Sequence, residues 1–318
     1  MKHNVTVTLM LIAFFILAQV VGLWLINKES SVSVDPATNK TMVTFADTAV
    51  GARPETTGSG SLLYVLIAVF IGTMLVLLIV KFGKVNIWKT WFFFAVWMAM
   101  SVSIGALVKS SMWFPYDIAI ALALILAFWK IFRPNILIHN LTEILMYSGI
   151  ALIIAPIFDV FWAIALLVVI SLYDMYAVWK SKHMVKMAQF QTKSNVFAGL
   201  MIPYKQENKK LRILSSDEYT SATKTKKKAG SSDNGPKTAI LGGGDIAFPL
   251  IFSGAVMNGL LLTGLSKSAA FLQANIITLT TAIALMLLFV YAKKGKFYPA
   301  MPFVTAGCLV GWAIVLII

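Results

Sequence analysis

Nine runs of about 20 mostly apolar residues leave this chain few ways to fold. They cover roughly residues 5–26, 61–80, 88–108, 113–132, 138–157, 159–180, 238–264, 268–292 and 298–318. At ~1.5 Å per residue, 20 residues of helix cross a hydrocarbon core about 30 Å thick. Hydrocarbon offers no partner for an open backbone group, so a run of this length closes its hydrogen bonds within itself, as a helix. The expected fold class is therefore an all-α polytopic membrane protein with nine transmembrane helices in one membrane domain, residues 1–318. Composition agrees: 59% of residues are hydrophobic and only 13% are charged, and mean hydropathy is +0.82. A soluble domain is nearer half apolar and a quarter charged. The first run follows Lys2 and could mimic a signal peptide. It is too long for such a core and lacks a clear small-x-small cleavage site, so an uncleaved first helix is expected.

The net charge of +14 would suggest nucleic acid in a soluble protein. Here it reads as topology, because basic residues gather on the cytoplasmic side of a membrane. With the N-terminus cytoplasmic, 22 of the 27 Lys and Arg fall on that side, and Lys28, Lys40, Arg53, Lys109 and Lys267 fall on the other. An odd number of spans then puts the C-terminus outside. The single cysteine, Cys308, lies in an apolar run, reads as a small buried hydrophobe and excludes an intrachain disulfide.

Two connections are long. Residues 27–60 lie outside and carry Asn39-Lys40-Thr41, a glycosylation pattern on the permissive side. Residues 181–237 form a cytoplasmic loop, expected to be partly disordered. Its first part, through about Leu214, spaces Met184, Met187, Phe190, Val196, Phe197, Leu200 and Met201 so that it could extend the sixth helix and then lie along the membrane surface. Its second part is polar, basic and rich in Ser, Thr and Gly, a composition that predicts disorder.

Against this background two acids stand out. Asp174 lies in the sixth run and Asp245 in the seventh. A carboxylate inside a bilayer costs several kcal/mol unless it has a partner or water, so such an acid marks a functional site. Asp174 precedes the exit at Lys180 by six residues and Asp245 follows the entry at Lys237 by eight. At a helical rise these offsets are about 9 and 12 Å, which places both acids at similar depth near the cytoplasmic face. Gly242-Gly243-Gly244 precedes Asp245, and Pro249 follows it. Glycine is a poor helix former and admits a close neighbour, and proline removes a helical hydrogen bond. Broken helix in a membrane is tolerated only against protein or water, so a hydrated pocket is expected at Asp245. Pro299-Ala300-Met301-Pro302 opens the last run from the same side and should leave free backbone groups at the same level.

Tyr173-Asp174, Gly242-Gly243-Gly244-Asp245 and Pro299-Ala300-Met301 resemble the YD, GxGD and PAL motifs of the presenilin and signal peptide peptidase family of intramembrane aspartyl proteases. Their order, their placement in the sixth, seventh and ninth runs, and the long connection between six and seven match as well. Met301 departs from the family's Leu, with a side chain of similar volume. The cytoplasmic N-terminus is similar to presenilin, and the small size resembles microbial homologues.

The resemblance implies peptide-bond hydrolysis within the bilayer by Asp174 and Asp245 sharing one proton, with an optimum at mildly acidic to neutral pH. One carboxylate would act as general base on water and the other as acid; the sequence leaves open which is which. The resemblance further implies that Tyr173 positions the pair or the substrate. Leu241, Gly242, Gly243 and Gly244, with Pro299, Ala300 and Met301, would hold the substrate as an extended strand. It implies no cofactor and no metal. The expected partners are transmembrane peptide or protein substrates and the lipid bilayer, not nucleic acid.

Other polar residues read differently. Glu143, near the cytoplasmic end of the fifth run, is expected to snorkel or to pair in the interior. Asp117 and Asp159 fall at outer ends. Trp88, Trp91, Phe92, Phe93, Phe94 and Trp97 read as an interfacial, lipid-facing belt. His3, His139 and His183 lie away from span centres and no HExxH occurs, which argues against an intramembrane metal or serine protease. The main rival is a proton-coupled transporter or channel, which paired acids and broken helices would also suit, although no inverted repeat is visible. A non-enzymatic membrane scaffold is a third reading.

Overall fold

The computed structural model describes residues 5–37, 39–108, 115–133, 135–181, 187, 190–191, 194, 196–207, 210–214, 218, 237–292 and 298–318. The chain is mostly helical. The helices are α1 (Val5–Glu29), α2 (Ser59–Phe82), α3 (Val85–Val108), α4 (Pro115–Phe132), α5 (Ile136–Ile154), α6 (Val160–Met175), α7 (Gly244–Leu262), α8 (Lys267–Tyr291) and α9 (Met301–Ile317). Among the described residues, seven helices are long and apolar enough to cross a membrane; α4 and α9 are shorter.

The fold is not purely helical. Strands β1 (Ser30–Val34) and β2 (Thr41–Phe45) form a hairpin after α1. Strands β3 (Gly199–Glu207), β4 (Lys210–Ile213) and β5 (Lys237–Gly242) form an antiparallel sheet in the order β4-β3-β5. Two expectations change as a result. Residues 199–207 and 210–213, including Leu200 and Met201, are strand rather than surface helix, because 199–204 pair with β5 and 204–207 pair with 210–213. The seventh apolar run is strand through Gly242 and becomes helix only at Gly244. A strand rises ~3.3 Å per residue, so the helical depth estimate for Asp245 does not hold over Lys237–Gly242. The polar second part of this connection lies outside the described residues apart from Glu218 and Lys237.

Helix ends are set by local chemistry. Asn135 caps α5 by accepting from Leu137 N, and Asp159 caps α6 by accepting from Trp162 N. Asp159, expected to be merely interfacial, is thus a helix cap. Gly83 ends α2 in the left-handed conformation, with its N–H on the carbonyls of Ile79 and Val80. Lys28 donates to the carbonyls of Ala106 and Leu107 at the C-terminal end of α3, where a cation meets the negative end of the helix dipole.

α1, α5 and α7 pack together at the centre of the bundle, α3 pairs with α4 and α5, and α9 packs on α8 and α6. α2 lies at the edge and exposes Leu63, Ile67, Phe70 and Ile71, which suits a lipid-facing helix. Small residues allow the closest approaches. A Cβ at Gly149 would fall 1.8 Å from the Ala99 carbonyl oxygen, and one at Gly311 would fall 2.6 Å from the Ile277 Cα. Helices in lipid associate through such contacts. The aromatic belt on α3 divides by helical period. Trp91 and Phe94 are exposed, but Trp88 and Phe92 are buried, and the Trp88 indole donates to the Val196 carbonyl at 3.3 Å. The inward face of the stripe is therefore core.

Candidate active site

Asp174 lies at the last regular turn of α6, with 5% of its surface exposed. Two residues further on, the helix widens into a π-helical turn over Tyr176–Lys180. Such turns re-aim side chains and often accompany functional sites. The Met301 amide donates to Asp174 Oδ2 at 3.1 Å, and the Ala300 amide also faces the carboxyl. Both amides come from the start of α9, where Pro302 occupies the first turn. The first N–H groups of a helix have no internal partner and carry its positive end, so they suit an anion. Close by, Ser171 and Thr305 share a 2.6 Å hydrogen bond, and Thr305 also donates to the Leu167 carbonyl. These bonds tie α9 to α6 beside the acid.

Asp245 enters from the other side, in the first turn of α7. It lies within electrostatic reach of Asp174, and the Gly242 amide faces its carboxyl. The helices that carry them, α6 and α7, pack on each other and both pack on α9. The preceding glycines do not serve the left-handed backbone region, since none of Gly242, Gly243 and Gly244 has a positive φ. They provide room. A Cβ on Gly242 would fall 3.1 Å from Asp245 Oδ2, and one on Gly243 would fall 2.3 Å from the Tyr147 hydroxyl. A Cβ on Gly244 would meet Phe248 at an ordinary 3.5 Å. The tight approach is thus at Gly243 rather than across all three positions.

Leu241 and Gly242 end β5, opposite Leu200 and Gly199 of β3. Among the described residues β5 is an edge strand, last in the order β4-β3-β5. It runs directly into the helix start that carries Asp245. Tyr173, half-buried, neighbours Asp174 on α6.

The sequence reading missed several residues around this centre. Gln19 of α1, fully buried, donates to the Ile246 carbonyl at 2.8 Å, next to Asp245. A carboxamide in an otherwise apolar run was the available signal. Pro249 cannot donate to the Asp245 carbonyl, so the start of α7 lacks a helical bond where Gln19 steadies it. Glu143 is paired in the interior, with Lys130, and accepts from Tyr147 and from Gly199 N. Lys130 reads as a cytoplasmic charge in the sequence, yet only 4% of it is exposed.

The family model for signal-peptide peptidase, presenilin aspartyl protease matches residues 37–318. Two solved structures of a presenilin family intramembrane aspartate protease, in P2 and C222 space groups, share the fold. The first has a TM-score of 0.58 at 15% identity and covers 96% of each chain. The second has a TM-score of 0.60 at 14% identity and covers 98% of each. No curated protein matches the chain in sequence.

Proposed function

The chain belongs to the signal-peptide peptidase, presenilin aspartyl protease family and is an intramembrane aspartyl protease, and we propose that Asp174 and Asp245 are its catalytic pair. The transporter reading is not favoured by this membership. Transmembrane segments in a lipid bilayer are the substrates the family implies.

In this reading the two carboxyls share one proton across the meeting point of α6 and α7. The ionised one takes a proton from water as the water oxygen attacks the scissile carbonyl. The protonated one donates to the developing oxyanion. The tetrahedral intermediate then collapses, and a proton passes to the leaving amine as the C–N bond breaks. The donors around Asp174 support a division of roles. Asp174 faces two backbone N–H donors at the start of α9 and Asp245 faces one; such donors favour the anion, so Asp174 is the base and Asp245 carries the proton.

The peptide must be extended, because a helical segment hides its carbonyls. The outer edge of β5 at Leu241 and Gly242 offers a strand for the peptide to lie along next to Asp245, and Pro299, Ala300 and Met301 line the side of Asp174. Tyr173 lies beside Asp174 and contributes to positioning. We assign nine membrane spans to the chain, with a cytoplasmic N-terminus, an extracytoplasmic C-terminus and the 181–237 connection in the cytoplasm. Seven long helices plus α4 and α9 support the count, and the Lys and Arg distribution supports the orientation.

The main support is convergence: an acid near the end of α6 accepts from the amides that begin α9, and an acid in the first turn of α7 lies within its electrostatic reach. The test is cleavage of a single-span model peptide by purified protein in detergent or liposomes. Asp174→Ala and Asp245→Ala should each abolish cleavage while the folded protein survives. Retained cleavage in either variant overturns the assignment.

A further inference from the structure

We infer that Tyr147, held by Glu143 and Lys130, is a positioning residue that sets the backbone from which Asp245 reaches the catalytic centre. This rests on the reading of Asp174 and Asp245 as the catalytic pair. The starting point is a charge pair that stability does not explain. Glu143 has no exposed surface and Lys130 has 4%. An ion pair this deep is often no better than apolar residues of the same size, so its retention points to a geometric use.

The geometry is complete. Glu143 Oε1 accepts from Lys130 Nζ, which also donates to Thr142 Oγ1 at 3.1 Å and to the His139 carbonyl at 3.5 Å. All three ammonium protons are thereby used. Glu143 Oε2 accepts from the Tyr147 hydroxyl and from the Gly199 amide, the latter at 2.8 Å. A carboxylate saturated in this way is locked in orientation.

Both bonds at Oε2 lead towards Asp245. Gly199 begins β3 directly opposite Gly242, the last residue of β5. Its carbonyl meets His139 Nε2 at 2.8 Å, so α5 grips both polar groups of this glycine. Asn140 holds Met201 in the same two-point fashion, with both bonds at 2.9 Å. Gly199 itself has a φ of +146°, and a Cβ there would fall 2.2 Å from the Leu241 carbonyl oxygen, so no other residue fits without a shift. The second bond fixes the Tyr147 hydroxyl against Gly243, where a Cβ would fall 2.3 Å away. Tyr147 is also within electrostatic reach of Asp245. One carboxylate thus fixes Gly242 through the sheet and Gly243 through the phenol, the residues that deliver Asp245. The hydroxyl donates to Glu143, so its part in turnover is indirect.

The experiment uses the full chain, purified in detergent, with kcat per titrated active site and KM measured on a single-span model peptide. Tyr147→Phe should lower kcat about tenfold or more, since small misplacements of a catalytic group carry costs of this size. KM should stay within about twofold and thermal unfolding close to the parent, because little beyond one hydroxyl is lost. Gly243→Ala drives a methyl onto the hydroxyl and should also lower kcat. Gly243→Ala/Tyr147→Phe removes the nearest atom but leaves the ring carbons Cζ and Cε1 at 2.9 and 3.0 Å from the added methyl, so it should remain slow. A Tyr147→Phe kcat within about twofold of the parent overturns the inference. Asp245→Asn separates the two levels. If it cleaves, the catalytic assignment fails; if it is dead while Tyr147→Phe is unimpaired, only the positioning role fails.

Discussion

The backbone amide of Met301 donates to the carboxylate of Asp174 at 3.1 Å, joining positions 127 residues apart. The contact makes the start of α9 part of the surroundings of an acid on α6. The donor is main chain, so the identity of the Met301 side chain should matter little. Met301→Leu, a swap of similar volume, should keep kcat/KM within about twofold. A loss beyond about tenfold would give the side chain a role in substrate fit that the amide does not explain. Asp174→Asn should fold normally, since its oxygen can still accept from Met301, and should be inactive.

One carboxyl must be ionised and the other protonated for turnover. Acid should abolish activity by protonating the base, and alkali by removing the proton of the acid. The expected kcat/KM profile against pH is bell-shaped, with two apparent values that belong to the pair. A profile with only one limb between the two would contradict a shared-proton mechanism.

Lys130 and Glu143 should couple strongly. Lys130→Met leaves a buried carboxylate without its cation and should cost about 3–5 kcal/mol. Lys130→Met/Glu143→Gln removes both charges while keeping an acceptor for Tyr147 and Gly199, so it should be more stable than Lys130→Met alone. Thermal unfolding in detergent reads the order, and additive losses would show that the ion pair is not a unit.

The α8–α9 contact should be intolerant of bulk. A Cβ at Gly311 would lie 2.4 Å from Thr280 Oγ1 and 2.6 Å from the Ile277 Cα, and the latter cannot move alone. Gly311→Ala should push α9 away, lowering stability by about 1–3 kcal/mol and loosening Met301 from Asp174. Gly72 on α2 has nothing within 4 Å of such an atom. Gly72→Ala should be neutral or slightly stabilising, as helix propensity favours Ala by up to about 1 kcal/mol. Equal unfolding temperatures for the two variants would refute the packing argument.

Gln19→Leu should lower kcat several-fold with KM little changed, because the Ile246 carbonyl loses the donor that steadies the start of α7. The stability change should be modest, about 0.5–1.5 kcal/mol for one hydrogen bond. Unchanged kcat would show that Pro249 and the glycines hold Asp245 without help from α1.

Much of this protein was legible in the sequence because hydropathy is local. Long apolar runs need only their own composition to demand helix in lipid, and two acids within them are anomalous wherever they point. The motifs at Tyr173-Asp174, Gly242–Asp245 and Pro299–Met301 pointed to the family that the match over residues 37–318 shows. Other features depended on partners far along the chain. Apolar spacing alone could not tell that 199–204 pairs as strand with β5, because strand needs a second edge. The inward turn of Trp88 and the burial of Lys130 depend on which helix lies alongside. The Lys130–Glu143–Tyr147 chain depends on α4, α5 and β3 meeting beside Gly243. The sequence by itself determined that the chain is a bundle of membrane helices carrying two misplaced acids, because burial cost is a property of each residue. Only the tertiary structure decided what surrounds those acids, because hydrogen bonds and close contacts join groups that are distant along the chain.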